Sequence, residues 1–171
     1  MAAPAIYVFP DDGVFPNSRF AALVYTQVLT GAPRELAAAF EALFGKHGWG
    51  GASWRNGLYG VHHYHSTAHE VLGIFAGHIR LQLGGDKGAE VNVNAGDVIV
   101  IPAGVAHKNV ASSNDYRVVG AYPDGTSPDL NYGRAGDRPA ADRNIARVPM
   151  PSADPVQGAR GTLVAHWTRP R

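Results

Sequence analysis

The chain contains no cysteine. That removes disulfides, a thiol nucleophile and thiolate metal ligands from consideration, and it fits a reducing compartment, so a cytoplasmic location is expected. Net charge is also scarce: fifteen Lys and Arg against fourteen Asp and Glu leave +1 with neutral histidine. The basic residues are dispersed, so neither nucleic acid nor a membrane surface is expected as a partner. No apolar run reaches the roughly 18 residues that a spanning helix needs. The opening stretch, MAAPAIYVFPDDG, has no basic segment followed by an apolar one, so no secretory leader is expected. Internal repeats are absent as well.

What remains is 171 residues, 45% of them hydrophobic. That suits one domain with a proper core. We expect residues 1–171 to form a single unit, with N-terminal strands, a helix and a loop over 1–56, a β core over 57–122, and a long loop and closing strand over 123–171. Residues 5–9 and 20–29 carry β-branched and aromatic residues and read as strands. Leu36, Phe40, Leu43 and Phe44 share one helical face, with Pro33 near the first turn, so a helix is expected over 33–45. Trp49 and Trp54 lie among glycines and suggest a loop with aromatic anchors.

From 57 to 122 the pattern changes to short strands at even spacing: about 58–65, 70–76, 78–84, 89–94, 97–101, 105–110 and 116–122. Gly-, Pro- and Asn/Asp-rich turns separate them. Such spacing predicts an all-β barrel or jelly roll. Residues 123–156, rich in Pro, Gly, Asp and Arg, are too long for an ordinary connection and read as a surface wrap in preference to a lid. A last strand is expected over 161–167.

His63, His65, Glu70 and His107 stand out. Alternation along a strand puts His63, His65, Tyr59 and Val61 on one face, and His62 and Tyr64 on the other. Four residues between His65 and Glu70 allow the chain to turn onto a neighbouring strand. Pro102-Ala103-Gly104 provides a second turn, after which His107 enters. A single inward histidine is ordinarily just a hydrogen-bonded core residue. Three imidazoles and a carboxylate converging in an apolar barrel would be costly without a cation. Tyr59 is a candidate pocket residue. His62 reads as a surface or interface histidine, and His69 as exposed in the loop. Arg55, Arg80 and Lys108 read as exposed charges.

The segment Gly57 to Gly77 fits G-x5-H-x-H-x3/4-E-x6-G at every anchor. Gly96 to His107 fits G-x5-P-x-G-x2-H, although the Asn that closes that second pattern is replaced by Ala111, with Asn109 two residues earlier. In these two motifs the chain resembles the cupins. HHYHSTAHEVLG, LQLGG and GDVIVIPAGVAHKN resemble more closely the bacterial YjlB-like members, over most of the chain. The resemblance implies a double-stranded β-helix, or jelly roll, with one short N-terminal helix. It also implies one divalent transition metal on His63, His65, Glu70 and His107, and a homodimer, for which residues 20–29 are the candidate pairing strand. Fe, Mn, Ni, Zn, Co and Cu all suit such donors. A small-molecule metalloenzyme is expected, leaning to a dioxygenase-type oxidoreductase. A metal-dependent isomerase or lyase, or a small-molecule sensing module, stands as the alternative.

Overall fold

Alternation of apolar side chains sorts the strands into two sheets. The computed structural model describes residues 2–168, and among them nine strands and three helices. The strands are β1 Ala5–Tyr7, β2 Ala22–Tyr25, β3 Trp54–Asn56, β4 Glu70–Ala76, β5 His78–Leu83, β6 Ala89–Asn94, β7 Val98–Ile101, β8 His107–Ser112 and β9 Arg117–Ala121. The helices are α1 Pro33–Lys46, α2 Ala140–Ile145 and α3 Thr162–Trp167. One sheet runs β1-β2-β7-β4-β9-β3 and the other β6-β5-β8. Every pairing is antiparallel. This is the expected all-β jelly roll.

The run Val98-Ile99-Val100-Ile101 is apolar throughout because both of its faces are buried. Val98 and Val100, with Val71 and Val119, pack against Leu36, Phe40 and Phe44 of α1. Ile99 and Ile101, with Leu72, Ile74 and Val118, face Ile79, Leu81 and Leu83 of the smaller sheet. Each such side chain contributes roughly 1.5–3 kcal/mol on burial. Glu70 shares the inward parity of Leu72 and Ile74, so a carboxylate enters the barrel on an otherwise apolar strand.

Helix α1 starts with Pro at its first position and runs one residue past the predicted end. It stops in a Schellman arrangement: Gly48 has φ +77°, its N–H reaches the Gly45 carbonyl, and the Trp49 N–H reaches that of Phe44. Trp49 is thereby delivered, fully buried, into the core beneath the helix, where its indole donates to the Ala153 carbonyl. The expectation of an aromatic anchor holds there.

Four expectations need correction. Residues 58–65 form no strand. They cross between β3 and β4 with single bridges, His63 to His107 and Tyr64 to Asn131, because each neighbour is met for one residue only. Residues 162–167 are helix α3, not a closing strand. Leu163 and Trp167, four apart, share the face that packs on the α1 core. The fold therefore has two short helices beyond the one expected. Finally, β2 lies between β1 and β7 with all its residues buried. It has no free edge for pairing with a second copy; the edge strands of this sheet are β1 and β3.

The segment 123–156 runs over the outside, as expected of a wrap, but not wholly. Pro128, Asp129 and Leu130 form part of a cavity wall. Ala141 of α2 closes over Phe15, Tyr64 and Ala106.

Candidate metal centre

His63 and His107 are brought together by a backbone bridge, with reciprocal N–H to carbonyl bonds of 3.1 and 2.9 Å. Their ring centroids are 4.2 Å apart. His65, two residues on, turns to the same side, 5.8 Å from the His63 ring and 5.7 Å from that of His107. Each of the three imidazoles offers one donor atom, and these atoms all lie within 4.8 Å of one another. Glu70 joins from β4: its Oε2 is 3.3 Å from His107 Nε2 and 3.6 Å from His65 Nε2. Ligands about 2.1 Å from a shared ion stand about 3–4 Å apart, so these separations suit one metal.

The tautomers follow from the partners. The Nδ1 atoms of His63, His65 and His107 bond the carbonyls of Val61, Asp129 and Val105. A carbonyl only accepts, so each Nδ1 carries the proton and each Nε2 is left with a lone pair for a cation. His107 Nε2 and Glu70 Oε2 are buried without a hydrogen-bond partner. Unsatisfied acceptors of this kind are costly in a dry interior. A metal ion fits that donor set.

The electrostatics agree with the geometry. Burial, reinforced by His107, pushes the His63 pKa down to about 3, so its ring stays neutral. Burial acts the same way on His65, but the Glu70 carboxylate outweighs it and raises that pKa. Burial alone would raise Glu70; His65 and His107 outweigh it and hold the carboxyl well below the usual range.

Two residues of the site are not singled out by the sequence. The Tyr122 hydroxyl donates to Glu70 Oε1 at 2.9 Å, and Trp54 Nε1 donates to the Tyr122 hydroxyl at 3.1 Å. Burial and the nearby carboxylate push the Tyr122 phenol well above its ordinary range, so it remains a donor. With Oε1 engaged, Oε2 is the oxygen left for a cation. The inward parity of Val118, Gly120 and Tyr122 was the available signal. Gly120 is required by close approach: a Cβ there would come within 2.2 Å of the Trp54 indole. The other residue is Asp129. Its carbonyl fixes His65, and its carboxylate accepts from the Ser66 and Thr67 N–H groups and from Asn131 Nδ2.

A cavity of about 420 Å³ opens over His63, His65 and Glu70. Tyr59 stands at its mouth, about half exposed, with its ring edge-on to His63 at 5.1 Å. Leu58 and Trp54 form the facing wall. Arg55 on the rim and Arg80 are exposed as expected, forked onto Glu41 and paired with Glu90, whereas Lys108 is partly buried and pairs with Asp86. His62 does point away from the centre, but it is half-buried, with its ring tilted against that of Phe15 at 5.2 Å and bonded to Asp86 at 3.0 Å. His69 is buried, not exposed. Its Nδ1 accepts from the Ala103 N–H, and its ring packs on Phe20 and Trp167. The residue after it faces the barrel, so strand alternation turns His69 outward, beneath α3. Burial pushes its pKa down to about 4.

A family model described as Cupin domain matches residues 55–119. The chain is 40% identical over 164 residues to "Uncharacterized protein YjlB" of Bacillus subtilis (strain 168), covering 95% of this chain and 96% of that one. Among solved structures it is similar to acireductone dioxygenase from Bacillus anthracis, which holds a cadmium ion in its active centre. The TM-score is 0.41 at 19% identity, over 75% of this chain and 99% of that one. It is also similar to procruciferin, an 11S globulin from Brassica napus, with a TM-score of 0.39 at 22% identity over 47% of this chain; it spans only 21% of that chain. Likeness at these scores carries no functional argument.

Proposed function

The chain belongs to the YjlB-like cupins, and we propose that it is a small-molecule metalloenzyme in which His63, His65, Glu70 and His107 hold one divalent transition metal. One observation carries the reading: the donor atoms of His63, His65 and His107 lie within 4.8 Å of one another, Glu70 Oε2 is 3.6 and 3.3 Å from the last two, and His107 Nε2 and Glu70 Oε2 are buried without any partner. Donors of this type suit Fe, Mn, Co, Ni, Cu or Zn. When bound, such an ion supplies Lewis acidity and, if redox-active, electron transfer to oxygen.

We assign the reaction to the dioxygenase class of oxidoreductase. Isomerases and lyases need an acid or base poised over the substrate. Among the described residues on the cavity wall, the charged side chains are already engaged. Arg55 is held by Glu41 through bonds of 2.7 Å. Asp129 is held by Ser66 and Thr67, and the Tyr122 proton by Glu70. The chain's own contribution is therefore to bind and orient. The Nδ1 contacts fix the imidazoles, Tyr122 fixes the carboxylate, and the apolar wall keeps water from the reacting groups.

Elemental analysis of protein purified without added metal or an affinity tag, beside Glu70→Gln, tests the assignment. Near-stoichiometric Fe or Mn, lost in Glu70→Gln, together with substrate-dependent oxygen consumption, is the expected result. Stoichiometric Zn with no oxygen consumption would move the reaction to carbonyl isomerisation or lysis. No metal in wild type, and none taken up on titration, would make the protein a binding module.

A further inference from the structure

We propose that the cleft between residues 16–20 and α2 is a second binding site, and that it takes a small monocarboxylate with an apolar body. The cleft lies on the other side of the chain from the metal centre. Glu70 turns into the barrel and His69, just before it, turns out. His69 and Ala103 line a cavity of about 290 Å³ there. It shares no lining residue with the cavity over the imidazoles. Binding here needs no metal.

The walls are fixed before any ligand arrives. Asn17 is buried; its side-chain amide donates to the Pro10 and Gly84 carbonyls, and its side-chain oxygen accepts from the Ala106 N–H. Gly104 lets that loop come close, because a Cβ there would stand 2.1 Å from the Asn17 carbonyl oxygen. The Ala103 N–H donates to His69 Nδ1 at 2.9 Å and ties these two lining residues together. Opposite, Arg138 holds α2 through both oxygens of Asp142. A site ordered in advance loses little freedom on binding.

Charge and hydrogen bonding select the ligand. The ion pairs among the described residues engage Arg55, Arg80, Lys108 and Arg138, but not Arg19. The Arg19 guanidinium lies over the Phe20 ring, 4.7 Å from its centroid, on the cleft wall. Ser18 Oγ accepts from the Phe20 N–H at 3.2 Å, so its own proton remains to be donated. These two donors sit on adjacent residues, and a carboxylate has an oxygen for each. Asp142, the wall carboxylate, shares Arg138 with Asp11, so two acids face one guanidinium. The negative charge left over disfavours a second one on the ligand. Phe20, Ala103 and Ile145 supply apolar contact for its body.

The test is an amide-resolved NMR titration of the full-length chain with three probes. Benzoate has both features, benzamide keeps the shape without the charge, and acetate keeps the charge without the body. Benzoate should give saturable shifts at residues 18–20, Ala103 and Ala146, and the other two should bind about tenfold more weakly. Arg19→Gln alters an exposed side chain, so the fold is kept. It should weaken benzoate about tenfold, as expected for one lost charge-assisted bond. Benzoate held by a metal would shift Leu58 and Tyr59 alone and survive Arg19→Gln, and that result overturns the site. Benzamide binding as tightly as benzoate, or no saturable shift at all, overturns it too. Acetate binding as tightly as benzoate overturns the apolar body.

Discussion

Removing the Tyr122 hydroxyl would leave Glu70 Oε1 buried with no donor. Tyr122→Phe preserves the ring, so packing against His65 and Trp54 is retained while two bonds are lost, the one to Glu70 Oε1 and the one from Trp54 Nε1. A buried acceptor stranded in this way costs about 1–3 kcal/mol. Supporting hydrogen bonds of this type typically alter metal affinity about 10–100-fold. We expect a lower urea midpoint in the metal-free protein and weaker binding in a competitive chelator titration; wild-type values in both would remove Tyr122 from the site. His107→Ala should lose most bound metal by elemental analysis, since its Nε2 lies buried at the centre. Wild-type metal content in that variant would sink the ligand assignment. The positions of the three histidines and Glu70 were legible through motif spacing; strand parity helps only for Glu70, because residues 58–65, which carry His63 and His65, form no strand. Tyr122 shares that parity, but nothing in the sequence distinguishes a tyrosine aimed at a carboxylate from one filling the barrel. His69 was misread because the residue that covers it, Trp167, lies far along the chain.

At the scale of elements, the segment 127–131 is fastened to the loop that carries His65. Asp129 makes the connection from both ends, its carboxylate on Ser66 and Thr67 and its carbonyl on the imidazole. Asp129→Ala keeps the carbonyl but frees the segment that aims it. Hydrogen exchange should rise at Ser66 and Thr67, and metal should dissociate faster, while β4 to β9 stay protected. Unchanged exchange at 66–67 would show that the segment is held by other contacts. A carbonyl acting through a loop leaves no mark in a sequence pattern, so this connection could not be read ahead of the structure. The same holds for α3. Its first N–H groups are met by side chains lying before it, Leu163 N–H by Asp154 and Thr162 N–H by Gln157. Asp154 is buried and also takes the Tyr25 hydroxyl. Thr162 and Val164 favour a strand locally, and tertiary contacts override them. The elements that were legible, α1 and β4 to β9, are those in which apolar period and turn residues agree.

For the whole molecule, the titrating groups of the centre set opposing slopes of stability with pH. His63 has its folded pKa pushed down to about 3, so below its ordinary value near 6.5 the unfolded chain binds a proton that the folded one refuses. Stability from this group is therefore lost as pH falls from about 6.5. Glu70, also depressed, adds to the loss below its ordinary value of 4.5, as pH falls toward its folded pKa. His65 runs the other way. Its folded pKa is raised, so its contribution is full below 6.5 and disappears as pH climbs through the folded value. A bound metal replaces the His65 proton and needs every imbalance resolved toward neutral imidazole. The metal-free protein should thus lose stability on the acid side, and the gain from metal should grow with pH. At metal one-hundredfold above Kd the gain is about 2.7 kcal/mol, or a rise in Tm of roughly 5–10 °C for a chain of this size. Thermal unfolding with and without Mn(II) or Zn(II), between pH 5 and 8, measures both slopes. A metal-dependent rise that stayed constant across that range would mean that no histidine proton is displaced, and the imidazole ligands would have to be abandoned.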